Sequence, residues 1–136
     1  MAAKKMNLSP LINKGLLTVY GPLISFVIAS GFIANWVATN ILESDIVDFI
    51  VMITVLISIC IGWTWWSYKI VKWKIWAFSL VEPLNSYELY ERAIGVGLIW
   101  PTGSIFNKTE IWTKKHKEKW KKLKPEIQEI FESNSK

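Results

Sequence analysis

Two stretches decide how this chain is read: LLTVYGPLISFVIASGFIANWVA at residues 16–38 and FIVMITVLISICIGWTWWSY at residues 49–68. They run for 23 and 20 consecutive residues without a charge. A helix rises about 1.5 Å per residue, so roughly 20 residues cross the ~30 Å hydrocarbon core of a bilayer. Both stretches are long enough. A helix buried in a soluble bundle of that length would show a polar face at every third or fourth position, and neither stretch does. The expected fold class is therefore an all-α membrane protein: a two-helix transmembrane hairpin with an interfacial helix and a small helical cytoplasmic C-terminal region.

Composition agrees, with 51% hydrophobic residues and nine tryptophans in 136 residues. A cleaved signal peptide is a poor fit to the first stretch. Its apolar core exceeds the 7–15 residues of a secretory leader, and no A-x-A-type site follows it. Cys60, the single cysteine, lies inside the second stretch and has no partner for an internal disulfide.

Working outward, the lysines set the orientation. Lys4, Lys5 and Lys14 precede the first span and Lys69, Lys72 and Lys74 follow the second, whereas residues 39–45 contain no Lys or Arg. That bias puts both ends in the cytoplasm. The chain then divides into a cytoplasmic segment 1–15, spans at 16–38 and 46–68 joined by an external connection 39–45, an aromatic and basic interfacial segment 69–84, and a cytoplasmic helical basic tail 85–136. Lysine outnumbers arginine 15 to 1, which gives a weak preference for a bacterial inner membrane. Asp48 sits at the outer edge of the second span, where an acid is readily solvated or caps a helix.

Small residues recur every four positions in both spans. With the turn near residues 41 and 42, an antiparallel pairing sets Gly21 by Gly62, Ser25 by Ser58 and Ala29 by Thr54, the close-packing device that helices in lipid use. A second stripe, Ser30, Ala34 and Ala38, is then left for oligomerisation or a partner helix. Pro22 reads as part of the first span's opening turns. Tyr20, Trp63, Trp65, Trp66 and Tyr68 fall at one depth and form an aromatic belt. Trp73 and Trp76 extend it into a lysine–aromatic helix along the headgroups, ended by Pro83.

Asn85 and Glu88 resemble a capping box, which predicts a short helix from Ser86 to about Ala93. Residues 93–106 are uncharged but broken by Gly95, Gly97, Pro101 and Gly103, and read as an interfacial seam. From Lys108 to Lys124 there are eight lysines. Wound as one helix, Trp112, His116, Trp120 and Leu123 form a narrow apolar stripe, while Lys114, Lys115, Lys117, Lys121, Lys122 and Lys124 cover the rest. Pro125 restarts the chain into a short acidic helix, residues 126–132, able to fold back on the basic one.

Little here carries catalytic chemistry. His116 and Cys60 are single and far apart, no metal-ligand spacing occurs, and no nucleophile stands beside a base, so no enzyme activity, cofactor or metal is expected. The sequons at Asn7 and Asn107 would be cytoplasmic and read as chance matches. The expected function is a non-enzymatic anchor or accessory subunit of a membrane complex, self-associating or part of a larger assembly. Its lysine-rich tail, with Trp112 and Trp120, contacts anionic lipid or a protein partner. Two alternatives use the same features. One is a membrane-permeabilising protein, since two spans with both ends inside and a basic tail are similar in topology to one arrangement among phage holins. The other is a membrane-tethered nucleic-acid binder, third in order because the tail has no recognisable nucleic-acid-binding motif.

Overall fold

A computed structural model describes residues 6–41 and 44–132. Lys4, Lys5 and part of the expected external connection, residues 42 and 43, lie outside the described residues. Among those described there is no strand, and two helices are long and apolar enough to cross a membrane. The order is α1 (Ser9–Ile41), α2 (Ser44–Leu80), α3 (Pro83–Gly95), a 3-10 turn (Ile105–Thr109), α4 (Lys114–Lys121) and α5 (Pro125–Glu132). The chain forms two compact units: Leu17–Trp66, and a discontinuous one that joins the described residues up to Leu16 with those from Ser67 onward.

Helix α1 begins well before its apolar run. Asn7 Oδ1 accepts the Ser9 N–H at 3.1 Å, satisfying one of the donors a helix start leaves open. Pro22 is therefore interior to α1 rather than in its opening turns. Helix α2 also differs from expectation, because it continues without a break through the segment expected to lie along the headgroups. At 37 residues it is about 55 Å long. Nothing between Tyr68 and Leu80 is a glycine or proline, so no residue stops it until the bend at Val81 and Pro83. In that stretch Ile70, Val71, Trp73, Lys74, Ala77 and Phe78 are buried, the i, i+3, i+4 face of a core helix.

Pro83 occupies the first turn of α3, where its missing N–H costs nothing and its fixed φ suits a helix. The helix thus starts before the expected cap at Asn85, whose N–H bonds the Glu82 carbonyl at 2.9 Å. The other end is a Schellman motif. Leu98 N–H reaches the Ala93 carbonyl at 2.9 Å and Gly97 N–H the Ile94 carbonyl at 2.8 Å, with Gly97 at φ +71°. That motif turns Leu98 and Ile99 into the core, where both are buried. So part of the expected interfacial seam is interior, while Val96 and Ile105 are exposed. A Cβ at Gly97 would touch nothing, so Gly97→Ala carries the left-handed backbone penalty alone, about 1–2 kcal/mol. Thermal melting in detergent should show a modest drop, and an unchanged midpoint would sink this account of the turn.

The discontinuous unit has a continuous core. Leu8, Leu11 and Ile12 from the start of α1 are buried, as are Leu89 and Ala93 of α3 and Ile127 of α5, and α5 packs on α3. Gly15 makes the tightest approach: a Cβ there would stand 2.5 Å from both Trp73 Nε1 and Leu98 Cδ2. The bare backbone lets the Trp73 indole reach the Leu11 carbonyl, to which its N–H donates at 3.0 Å.

In the Leu17–Trp66 unit, Ser58 Oγ lies 3.0 Å from Ser30 Oγ and 2.8 Å from the Thr54 carbonyl. A Cβ on Gly62 would stand 3.4 Å from Leu23 Cγ.

Candidate membrane interface

Which small-residue stripe meets the second helix is settled by those contacts, and it is not the expected one. Ser58 lies against Ser30, not Ser25. Ala34 and Ala38 are buried, while Ser25 and Ala29 are exposed and nothing stands within 4 Å of a Cβ placed on Gly21. At 100° per residue the two stripes lie on roughly opposite sides of α1, so only one of them can face α2. The face that does also carries Leu23, whose branched side chain fills the space Gly62 leaves. The Ser25 hydroxyl turns back to the Gly21 carbonyl at 3.0 Å, and Thr54 does the same to Ile50 at 2.8 Å, the usual way a hydroxyl is satisfied within a helix.

Much of the rest of this unit's surface is apolar. Phe32 is 72% exposed, Ile28 and Leu56 55% each, and Ile24, Ile33, Phe49, Met52, Ile57 and Ile59 are exposed as well. A monomeric soluble protein rarely shows a contiguous apolar patch beyond a few hundred Å². The aromatic belt is split. Trp63 remains exposed beside Trp66 (ring centroids 5.4 Å apart), but Trp66 and Trp73 are each only 4% exposed and so present no face to lipid. Tyr20, Trp65, Tyr68 and Trp76 are half-buried.

The discontinuous unit holds two polar features. One is a buried ion pair that sequence reading missed: Lys74 Nζ and Glu110 Oε1 are 2.5 Å apart, with both side chains almost fully buried. Glu110 Oε2 accepts the Trp112 indole N–H at 3.1 Å, and Lys74 Nζ stands 5.4 Å from the Phe131 ring centroid. Trp112, Trp120 and Phe131 stack edge-on at 5.5 and 5.0 Å, and Phe78 and Tyr90 each meet Phe131 at 5.1 Å. A cleft of about 280 Å³ opens beside the pair. The rings and carboxylate that could cage an outside cation already hold the chain's own lysine. The available signal was Lys74 itself, placed among apolar residues on one helix face, since a buried ammonium needs a counter-charge.

The same packing alters the basic tail. Trp112 and Trp120, expected to meet lipid, are half-buried and turned into this aromatic cluster. The tail is also not one helix: residues up to Thr109 form the 3-10 turn, Ile111 N–H bonds the Ser67 carbonyl at 3.0 Å, and α4 starts only after Thr113, whose Oγ1 accepts the His116 N–H at 3.3 Å. The acidic helix α5 does contact the basic one, through Phe131 on Trp120 and through Gln128, whose amide donates to the Leu123 carbonyl at 2.7 Å. Lys114, Lys115, Lys117, Lys121, Lys122 and Lys124 all remain exposed.

Between α2 and α4 runs the second feature, a groove of about 760 Å³. Tyr68, Lys72, Ile75 and Trp76 line it from α2, and Lys115, His116, Lys119, Lys122 and Leu123 from α4 and the turn after it, and none of the described residues in the lining is acidic. Lys72 Nζ lies 4.3 Å above the Tyr68 ring and Lys14 Nζ 4.3 Å above Trp76, so the aromatic faces are already set in positive potential. His116, 5.7 Å from Tyr68, is buried. Burial pushes its imidazole below the usual value, against a hydrogen bond to the Ile111 carbonyl that favours the charged form. The groove's charge comes from its lysines. Among the described residues no three His, Cys, Asp or Glu gather as metal ligands.

No family model, curated protein or solved structure matches this chain.

Proposed function

We propose that this chain is an integral membrane anchor or accessory subunit, in which residues 17–66 cross the bilayer as a helical hairpin and both termini lie in the cytoplasm. The observation that carries the reading is the contrast in burial. The Leu17–Trp66 unit exposes most of its large apolar side chains, among them Phe32, Ile33 and Leu56, whereas the lysine-rich remainder has an ordinary buried core. Only lipid or other apolar helices would cover the first without cost. The lysines on either side of the two apolar runs, and their absence from residues 39–45, favour a cytoplasmic placement of the folded remainder. An anchor of this kind presents a partner helix with the face of Gly21, Ser25 and Ala29.

Thiol labelling of intact cells tests the topology. On a Cys60→Ser background, single Ser44→Cys and Ser133→Cys variants would be treated with an impermeant reagent. Labelling is expected at position 44 in closed cells and at position 133 only after the cells are opened. Chain released from membranes by alkaline carbonate, or position 133 labelled in closed cells, overturns the reading.

A further inference from the structure

We infer that the groove between α2 and α4 is a binding site for the headgroup of one anionic phospholipid from the bilayer that holds the protein. The inference rests on the membrane reading above and goes beyond it: the contact with lipid is a shaped, saturable site and not a diffuse attraction between a basic tail and a charged surface.

Three observations converge. First, the lysines of α4 are not equivalent. Lys115, Lys119 and Lys122 line the groove together with Lys72 of α2, while Lys114, Lys117 and Lys121 lie on the other side of the same helix. Four ammonium groups on two elements thus converge on one cavity. With no carboxylate among the described residues of the lining to neutralise them, the field inside suits a phosphodiester. Secondly, about 760 Å³ lies within the range of small-molecule sites. Beside the lysines and the hydroxyls of Ser79 and Thr113 the lining includes Ile75, Trp76 and Leu123, which suit the glycerol and upper acyl carbons of a lipid better than a bare inorganic anion. Thirdly, Tyr68, which lines the groove, follows Trp66, the last residue of the apolar unit, by two positions in the chain. Two helical positions advance about 3 Å, and the headgroup layer is about 5–8 Å thick on each side of the hydrocarbon core.

Native mass spectrometry of the full chain, released from nonionic detergent, counts bound lipid directly. Phosphatidylglycerol is expected to add as a single saturable molecule, with phosphatidylcholine failing to compete. Each lysine near an anionic headgroup is worth about fivefold, so Lys72→Gln/Lys119→Gln/Lys122→Gln should weaken that binding about 100-fold. The charge-matched Lys114→Gln/Lys117→Gln/Lys121→Gln should change it by less than about fivefold, the worth of a single contact. All six side chains are exposed, so neither variant threatens the fold. Equal losses in the two variants would mean diffuse charge attraction and overturn the site. Equal protection of the free protein by glycerol phosphate would make the ligand a soluble phosphate and overturn its lipid identity. Carbonate extraction of the same variants keeps the membrane reading separate: a chain that stays in the membrane yet binds no lipid in the groove loses the site and keeps the anchor.

Discussion

Gly15→Ala should destabilise the discontinuous unit by about 2–4 kcal/mol, and Gly15→Val by more. The added Cβ would fall 2.5 Å from Trp73 Nε1 and Leu98 Cδ2, well inside any contact distance, so one of them must move. Trp73 has little freedom to do so. Its N–H is committed to the Leu11 carbonyl at 3.0 Å, and its ring stands edge-on to Phe78, 6.5 Å between centroids. Overpacking costs about 1–3 kcal/mol, and losing the indole bond while its groups stay buried adds about 1 kcal/mol or more. Gly21→Ala is the matched control on the same helix. No atom lies within 4 Å of its new Cβ, and alanine favours a helix by about 1 kcal/mol over glycine. Urea titration in detergent, followed by tryptophan fluorescence, should therefore move the two midpoints in opposite directions. Equal stability of Gly15→Ala and the parent would sink the proposed backbone–indole contact.

Breaking the buried ion pair from one side is the other large effect. In Glu110→Leu the Lys74 ammonium keeps its buried position and loses the Glu110 carboxylate, and truncation of one partner of such a pair typically costs about 3–5 kcal/mol. The Trp112 indole N–H loses its acceptor as well. Lys74→Met removes the charge but strands the Glu110 carboxylate, with a similar penalty. The double variant Lys74→Met/Glu110→Leu should recover most of the loss, because apolar groups of similar volume among Phe78, Trp120 and Phe131 leave no charge to solvate. A double-mutant cycle measures this as a coupling energy of several kcal/mol. Simple additivity would mean that the pair is open to water in solution.

Charge-free length and lysine placement made the helical class and the two long apolar helices legible from the sequence, because the bilayer requirement is a local count along the chain. The finer pairing was not legible. Gly21, Ser25 and Ala29 match the second helix as well as Ser30, Ala34 and Ala38 do when only spacing is considered. What separates them is the fit of Leu23 over Gly62, a contact between residues 39 positions apart. The reach of α2 was misread because lysines between tryptophans suggest a headgroup layer, yet one of those lysines, Lys74, finds a carboxylate 36 residues later. The apolar residues of the tail do not form one helical stripe, because α4 begins only at Lys114 and leaves Trp112 outside it. Their partner was assigned to lipid, when Phe131 and Phe78 already cover Trp120. Gly15 gave no signal of its own, since one glycine in a helical run reads as a propensity loss until the ring that needs the space is known.

The discontinuous unit also has a history in time. Leu8, Leu11 and Ile12 belong to the same unit as Ile127, which is synthesised roughly a hundred residues later. At about 5–20 residues per second, translation holds the two halves of that core apart for something like ten seconds. Within that interval both apolar runs are completed, while Phe78 still awaits Phe131 of α5. A nascent chain halted before Pro125 would thus carry both apolar runs and lack α5, leaving Phe78 without Phe131 and α3 without the helix that packs on it.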